Sequence, residues 1–147
     1  MKKRIAVLIL VLAAGGAAVF VLRQGSRAPL PADMEVADDV RSAVDGKRPE
    51  DVSKITIELV WPSRSPTVVT AKRDVAGLLA GLQQAIRPKV RYGCAGPRLG
   101  VFWNDHGKPS YFHFCIDHGP KHAYGIEFAR AYNRVAPDDW KVDLPRR

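Results

Sequence analysis

The stretch Asp74-Val-Ala-Gly-Leu-Leu-Ala-Gly-Leu-Gln-Gln-Ala-Ile-Arg-Pro88 (DVAGLLAGLQQAIRP) decides the architecture of this chain. Its apolar residues Val75, Leu78, Leu79, Leu82 and Ile86 recur at i, i+3, i+4, i+7 and i+11, the spacing of one face of an α-helix. Asp74 stands where an N-cap is wanted, and Pro88 stops the periodicity. A helix with one apolar stripe must bury it, and the segments on either side supply a sheet.

Upstream, residues 52–61 alternate, with Ile55, Ile57, Leu59 and Trp61 on one face and Lys54, Thr56 and Glu58 on the other. That is a strand with one buried side. Pro62 and Pro66 bracket a connection, and the β-prone run around Val68, Val69 and Thr70 predicts a hairpin with the first strand. Downstream, residues 89–94 place Val90, Tyr92 and Cys94 on one side, and residues 99–103, 110–117 and 123–128 read as further strands joined by turns. Residues 130–136 read as a terminal helical turn, and Trp140, Val142 and Leu144 as a last edge strand. Ahead of the sheet, Val36, Val40 and Val44 recur every four residues between Asp33, an N-cap, and Gly46, a C-cap, which predicts a short helix.

The chain opens Met1-Lys-Lys-Arg4 and then carries no charge from Ile5 to Leu22, before Arg23. Eighteen helical residues span about 27 Å, close to the roughly 30 Å of a bilayer's hydrocarbon core. Small residues between Ala13 and Ala18 could offer a cleavage site, but Val19-Phe20-Val21-Leu22 prolongs the apolar run beyond it, which favours an uncleaved anchor. The basic residues before the span keep the N-terminus in the cytoplasm. The expectation is a bacterial inner-membrane protein with a periplasmic C-terminal domain: residues 1–4 cytoplasmic, 5–22 a transmembrane signal anchor, 23–50 a linker with a short helix, 51–147 the exported domain. The fold class is α+β, an N-terminal transmembrane helix followed by a small antiparallel sheet with one main helix packed on one face.

The net charge of +8 divides unevenly. Lys2, Lys3, Arg4, Arg23 and Arg27 flank the span and serve topology. Residues 28–50 hold three basic and six acidic side chains, a net of −3, and residues 51–147 hold fifteen and nine, a net of +6. An exported basic domain points away from nucleic acid and towards an envelope protein or an anionic envelope component.

The tripeptide Asp-His-Gly occurs twice, at Asp105 and at Asp117, each between two β-patterned runs. Gly107 and Gly119 suit tight connections, the aspartates can accept backbone hydrogen bonds, and Pro109 and Pro120 close the turns. Turn chemistry thus explains the repeat without using the imidazoles of His106 and His118. Two further readings compete. Cys115, His118 and His122, with Cys94 as a fourth ligand, form the Cys2His2 set that zinc accepts, although the cysteines stand twenty-one positions apart rather than in a close pair. In an oxidising compartment the same two cysteines instead pair as Cys94–Cys115, which removes the thiolates a metal needs.

No dinucleotide loop, P-loop or Gly-x-Ser-x-Gly is present, no cofactor is called for, and no catalytic residues are assigned. The reading is a non-enzymatic binding or accessory domain, with a metal-binding domain or a small envelope hydrolase as alternatives. Trp61, Trp103, Tyr111, Tyr124 and Trp140 are the candidate contact surface. Alkaline phosphatase fused after Arg147 is expected to be active, because it works only outside the cytoplasm; an intact but inactive fusion would reverse the orientation.

Overall fold

The computed structural model describes residues 29–60, 64–90, 93, 95–105 and 107–146. The anchor expected at residues 5–22 lies outside the described residues, as do Trp61, Tyr92, Cys94 and His106; no helix among the described residues is long and apolar enough to cross a membrane.

The strand that begins at Val52 organises the fold. Strand β2, Val52–Leu59, pairs antiparallel with β3, Thr67–Val69, on one side and with β5, Pro97–Trp103, on the other. β6, Ser110–His113, pairs antiparallel with β5, so the sheet order is β3-β2-β5-β6. Ile55 faces Val69 and Val101, Ile57 faces Leu99, and Leu99 faces Phe112. These residues are buried on one face of the sheet, as the period-two pattern requires. The other face carries Lys54, Thr56, Glu58, Val68, Arg98, Phe102 and Tyr111, with Lys54 over the ring of Phe102 and Arg98 over that of Tyr111.

A second, two-stranded sheet joins β1, Met34–Val36, to β4, Ile86–Pro88. Between β1 and β2 lies α1, Asp38–Val44, which buries Val40 and Val44. The folded unit therefore takes in Pro31–Arg147, and residues 34–44, expected in a linker, form part of its core. Helix α1 starts after Ala37 rather than at Asp33, because Met34, Glu35 and Val36 find a strand partner in β4. Gly46, with φ of +65°, stands just past the helix end as its sequence position suggests.

The decisive stretch forms α2, Lys72–Gln83, with Val75, Leu78, Leu79 and Leu82 buried. Its N-cap is Ala71; Asp74 sits in the first turn, where its charge suits the helix dipole. Ile86 is not a helical residue. The helix closes at Gln83, and Ile86 pairs with Val36 in the small sheet.

One main helix is too few. The segment expected as a strand over residues 123–128 instead turns into α3, Ile126–Asn133, which packs on α2 and buries Phe128, Ala129, Ala131 and Tyr132. The two helices approach so closely at Gly81 that a Cβ there would stand 2.7 Å from the Phe128 Cα. The last edge strand is also absent: residues 138–140 form a 3-10 turn, and no strand follows it among the described residues. Val142 is still held as a strand residue would be, because the Asn133 side chain accepts from its N–H at 2.8 Å and donates to its C=O at 2.7 Å. The expected strand over residues 89–94 is likewise not seen at Lys89 and Val90, which form a bend after β4.

Gly81→Ala tests the helix contact. Overpacking costs about 1–3 kcal/mol, against a helix-propensity gain of about 1 kcal/mol, so the expected result is a net loss of up to about 2 kcal/mol. Urea unfolding of the variant measures it; a stabilised protein would mean that α2 and α3 do not meet at this point.

Candidate functional site

Strand β6 is an edge strand, and a cleft of about 500 Å³ runs beside it. Asp39, Val40 and Ala43 of α1, with Arg87 and Pro88 of β4, line its far side; β6 lines the near side; Phe114, Cys115, His122 and Tyr124 line the rest. Two exposed apolar side chains stand at the cleft, Val90 at 60% exposure and Tyr111 at 44%. The volume lies within the roughly 300–1,000 Å³ usual for ligand pockets.

The charges in the far wall are engaged. Arg87 donates to Glu35 at 2.8 Å and to Asp39 at 2.8 and 2.9 Å. Partial burial pushes the Asp39 carboxyl up, but the hydrogen bond and charge of Arg87 outweigh it and hold Asp39 below the usual carboxylate range. Arg87 is in turn raised, first by its bond to Glu35.

The near wall follows from register. Phe114 N–H donates to Pro97 C=O at 3.2 Å, which places Phe114, Phe112 and Ser110 in the pairs that face β5. Tyr111 and His113 therefore aim their backbone groups away from β5, into the cleft. The chain uses some of this free edge itself. The Tyr124 hydroxyl donates to His113 C=O, and Cys115 N–H donates to His122 C=O at 3.0 Å. Tyr124 holds an unusual backbone conformation for a non-glycine residue, φ of 57°, immediately before Gly125 at φ of 90° starts α3. Burial pushes the Tyr124 hydroxyl up to about 12, the charge of Asp39 adding to it and that of Arg87 opposing it.

The second Asp-His-Gly is a turn. Gly119 has φ of +77°, its N–H reaches Ile116 C=O at 3.4 Å, and residues 120–122 form a 3-10 turn opened by Pro120. The bond across the turn thus uses a backbone carbonyl rather than the Asp117 carboxylate. The turn brings three of the predicted ligands together: Cys115 Sγ lies 3.4 Å from His118 Nδ1, and the rings of His118 and His122 are 4.7 Å apart. Burial, and then the neighbouring charges of His118 and Lys121, lower His122 from its ordinary value. Among the described residues, no group of three His, Cys, Asp or Glu side chains is arranged to hold a metal ion. Cys115 and His118 could supply two adjacent donors; Cys94, the proposed fourth ligand and disulfide partner, lies outside the described residues. The extended register puts residue 96 opposite Cys115, and a Cβ on Gly96 would stand 3.0 Å from the Cys115 Cα.

The aromatic contact surface needs correction. Trp103, Tyr124 and Trp140 are buried, at 5%, 8% and 4% exposure, and serve the core; Trp103 donates to Ser110 Oγ at 2.8 Å. Of the four candidates that are described, Tyr111 alone faces outward. Compared with protein-family models, curated proteins and solved structures, the chain matches none.

Tyr124→Phe removes the hydroxyl that closes the edge, at an expected cost of about 1 kcal/mol near neutral pH. The raised Tyr124 value has a definite sign. Between the unfolded value of 10 and the folded value of about 12 the unfolded chain loses the proton first, so stability falls as pH rises through that window. The phenylalanine variant lacks that term and should show a shallower decline from pH 10 to 12 in parallel denaturation series. Equal slopes would place Tyr124 in water.

Proposed function

We propose that this is a bacterial inner-membrane protein, anchored by residues 5–22 with its C-terminal domain in the periplasm, and that the domain is a non-enzymatic binding or accessory module for another envelope component. The observation that carries the binding role is the open cleft beside β6, about 500 Å³, with its ionic wall engaged internally and apolar side chains at Val90 and Tyr111. A wall whose charges are mutually satisfied offers shape and apolar contact more than a reactive group. The lining is mixed, Asp39, Arg87, Ser110 and His113 beside Val90 and Tyr111, and a mixed polar and apolar surface favours an envelope protein over an anionic polysaccharide or lipid as the occupant.

The metal-binding alternative rests on the 3.4 Å approach of Cys115 Sγ to His118 Nδ1. The hydrolase alternative would use the same pair as thiol and base. The disulfide Cys94–Cys115 is the reading that fits an oxidising compartment, and it opposes both.

Photo-crosslinking amino acids placed singly at Val90, Tyr111 and Val68 in the full-length chain separate these readings in intact cells. Val68 is similarly exposed, at 53%, on β3 at the other edge of the sheet. A discrete protein adduct from Val90 and Tyr111 but not from Val68 is expected. Adducts from all three alike, or from none, would remove the cleft as the binding surface. Stoichiometric zinc or copper in the purified protein, lost in His118→Ala, would establish the metal alternative instead.

A further inference from the structure

We propose that the cleft takes an extended polypeptide that adds to β6 as a fifth strand of the main sheet, an inference that rests on the binding role proposed above. Three backbone groups carry it. Among the described residues nothing hydrogen-bonds Tyr111 N–H, Tyr111 C=O or His113 N–H, although all three point into the cleft. At its C-terminal end this edge is closed by the chain itself, His113 C=O by the Tyr124 hydroxyl and Cys115 N–H by His122 C=O. The opening is therefore a defined segment of edge, with a wall opposite it, rather than a whole strand left bare.

The occupant follows from the chemistry. Alternating amide donors and carbonyl acceptors in one row are matched by another extended backbone, which pairs at about 4.8 Å. About 500 Å³ accommodates a short strand segment, whereas a second copy of this domain would have to bring its own helices and sheet against the wall formed by Arg87, Pro88 and Val90. The exposed Val90 and Tyr111 side chains then favour a segment carrying apolar residues.

An antiparallel segment has a specific hydrogen-bond signature. One of its residues sits opposite Tyr111 and exchanges two bonds with it, N–H to C=O in each direction. The residue two positions earlier in the segment accepts from His113 N–H through its C=O. Its own N–H finds His113 C=O already taken by Tyr124. Binding thus depends on one amide N–H of the segment, the one opposite Tyr111, and on none of its neighbours.

The test uses full-length chain in detergent micelles and a phage-displayed library of random decapeptides. A peptide that competes with the Val90 crosslink is synthesised with each amide N-methylated in turn. The expected result is a loss of affinity of tenfold or more at one position, with the flanking positions and the position two residues earlier tolerated. In the protein, His113→Pro removes one outward N–H without touching a bond to β5, and edge strands accept proline there. It should weaken binding about tenfold, while His113→Ala, which keeps the N–H, stays within about twofold. Amide exchange at Leu99 and Val101 reports whether the proline variant keeps its sheet, and the methylation scan stands independently of it.

A peptide that competes at Val90 but shows a flat methylation scan overturns strand addition and leaves the binding role intact. Failure to recover any competing peptide, together with no cleft adduct in cells, overturns both. A chain that dimerises and becomes monomeric in His113→Pro overturns the proposal in favour of a second copy on the same edge.

Discussion

The register of β6 on β5 is the constraint from which the cleft derives its chemistry. Phe114 N–H on Pro97 C=O fixes the parity of the whole strand, and a slip of one residue would exchange every inward and outward group. In the observed register Phe112 and Phe114 enter the core, while Tyr111 and His113 are exposed. The same parity turns His113 C=O towards the Tyr124 hydroxyl and Cys115 N–H towards His122 C=O. A side-chain preference for burial thereby decides which backbone atoms remain available.

What holds that register is the aromatic cluster around Phe114. Its ring packs on Tyr124, Phe128 and Tyr132 with centroids 5.9, 5.0 and 4.9 Å away, the last two edge to face. Those three partners belong to α3 and the residues that lead into it, so the end of β6 is fastened to the helical layer. Gly81 allows α3 to lie directly on α2, and α2 carries the stripe buried with the sheet. On the cleft's other side, Arg87 ties β4 to β1 and α1 through Glu35 and Asp39. Both walls are consequently fixed by contacts that do not themselves occupy the cleft.

Where a periodic pattern extended over two full turns or several strand residues, the sequence disclosed the element. α2 and the β2–β3 hairpin are examples, and the α+β class followed from them. The misreadings came where two periods shared the same letters. Tyr124, Ile126 and Phe128 alternate like a strand, yet Tyr124, Phe128 and Tyr132 recur at four, and the helical spacing prevails because Gly125 opens α3 and Gly81 receives it. Ile86 matched the stripe of α2 by position alone. Trp140 and Val142 lacked a strand partner because the Asn133 amide supplies one locally. Of the site, the alternation of Tyr111 and His113 with Phe112 and Phe114 is written in the sequence. That β6 is the last strand of its sheet is not, since strand order is a tertiary property that no local period encodes.

The repeated Asp-His-Gly gains its meaning from that edge. At Asp117 the tripeptide reverses the chain, and the 3-10 turn over residues 120–122 delivers His122 C=O to Cys115 N–H. The approach of His118 to Cys115 accompanies this geometry, and so does the proximity of the two imidazoles, whose planes are tilted by 39°. An edge strand open along its whole length invites indiscriminate pairing, and proteins usually limit the risk by shortening or covering it. Here the strand is four residues long, its far end is covered by the turn and by Tyr124, and the groups left open face a wall. Pairing is thereby confined to a chain slender enough to enter the cleft, so the turn that closes one end of the ladder also helps to select what can occupy the other.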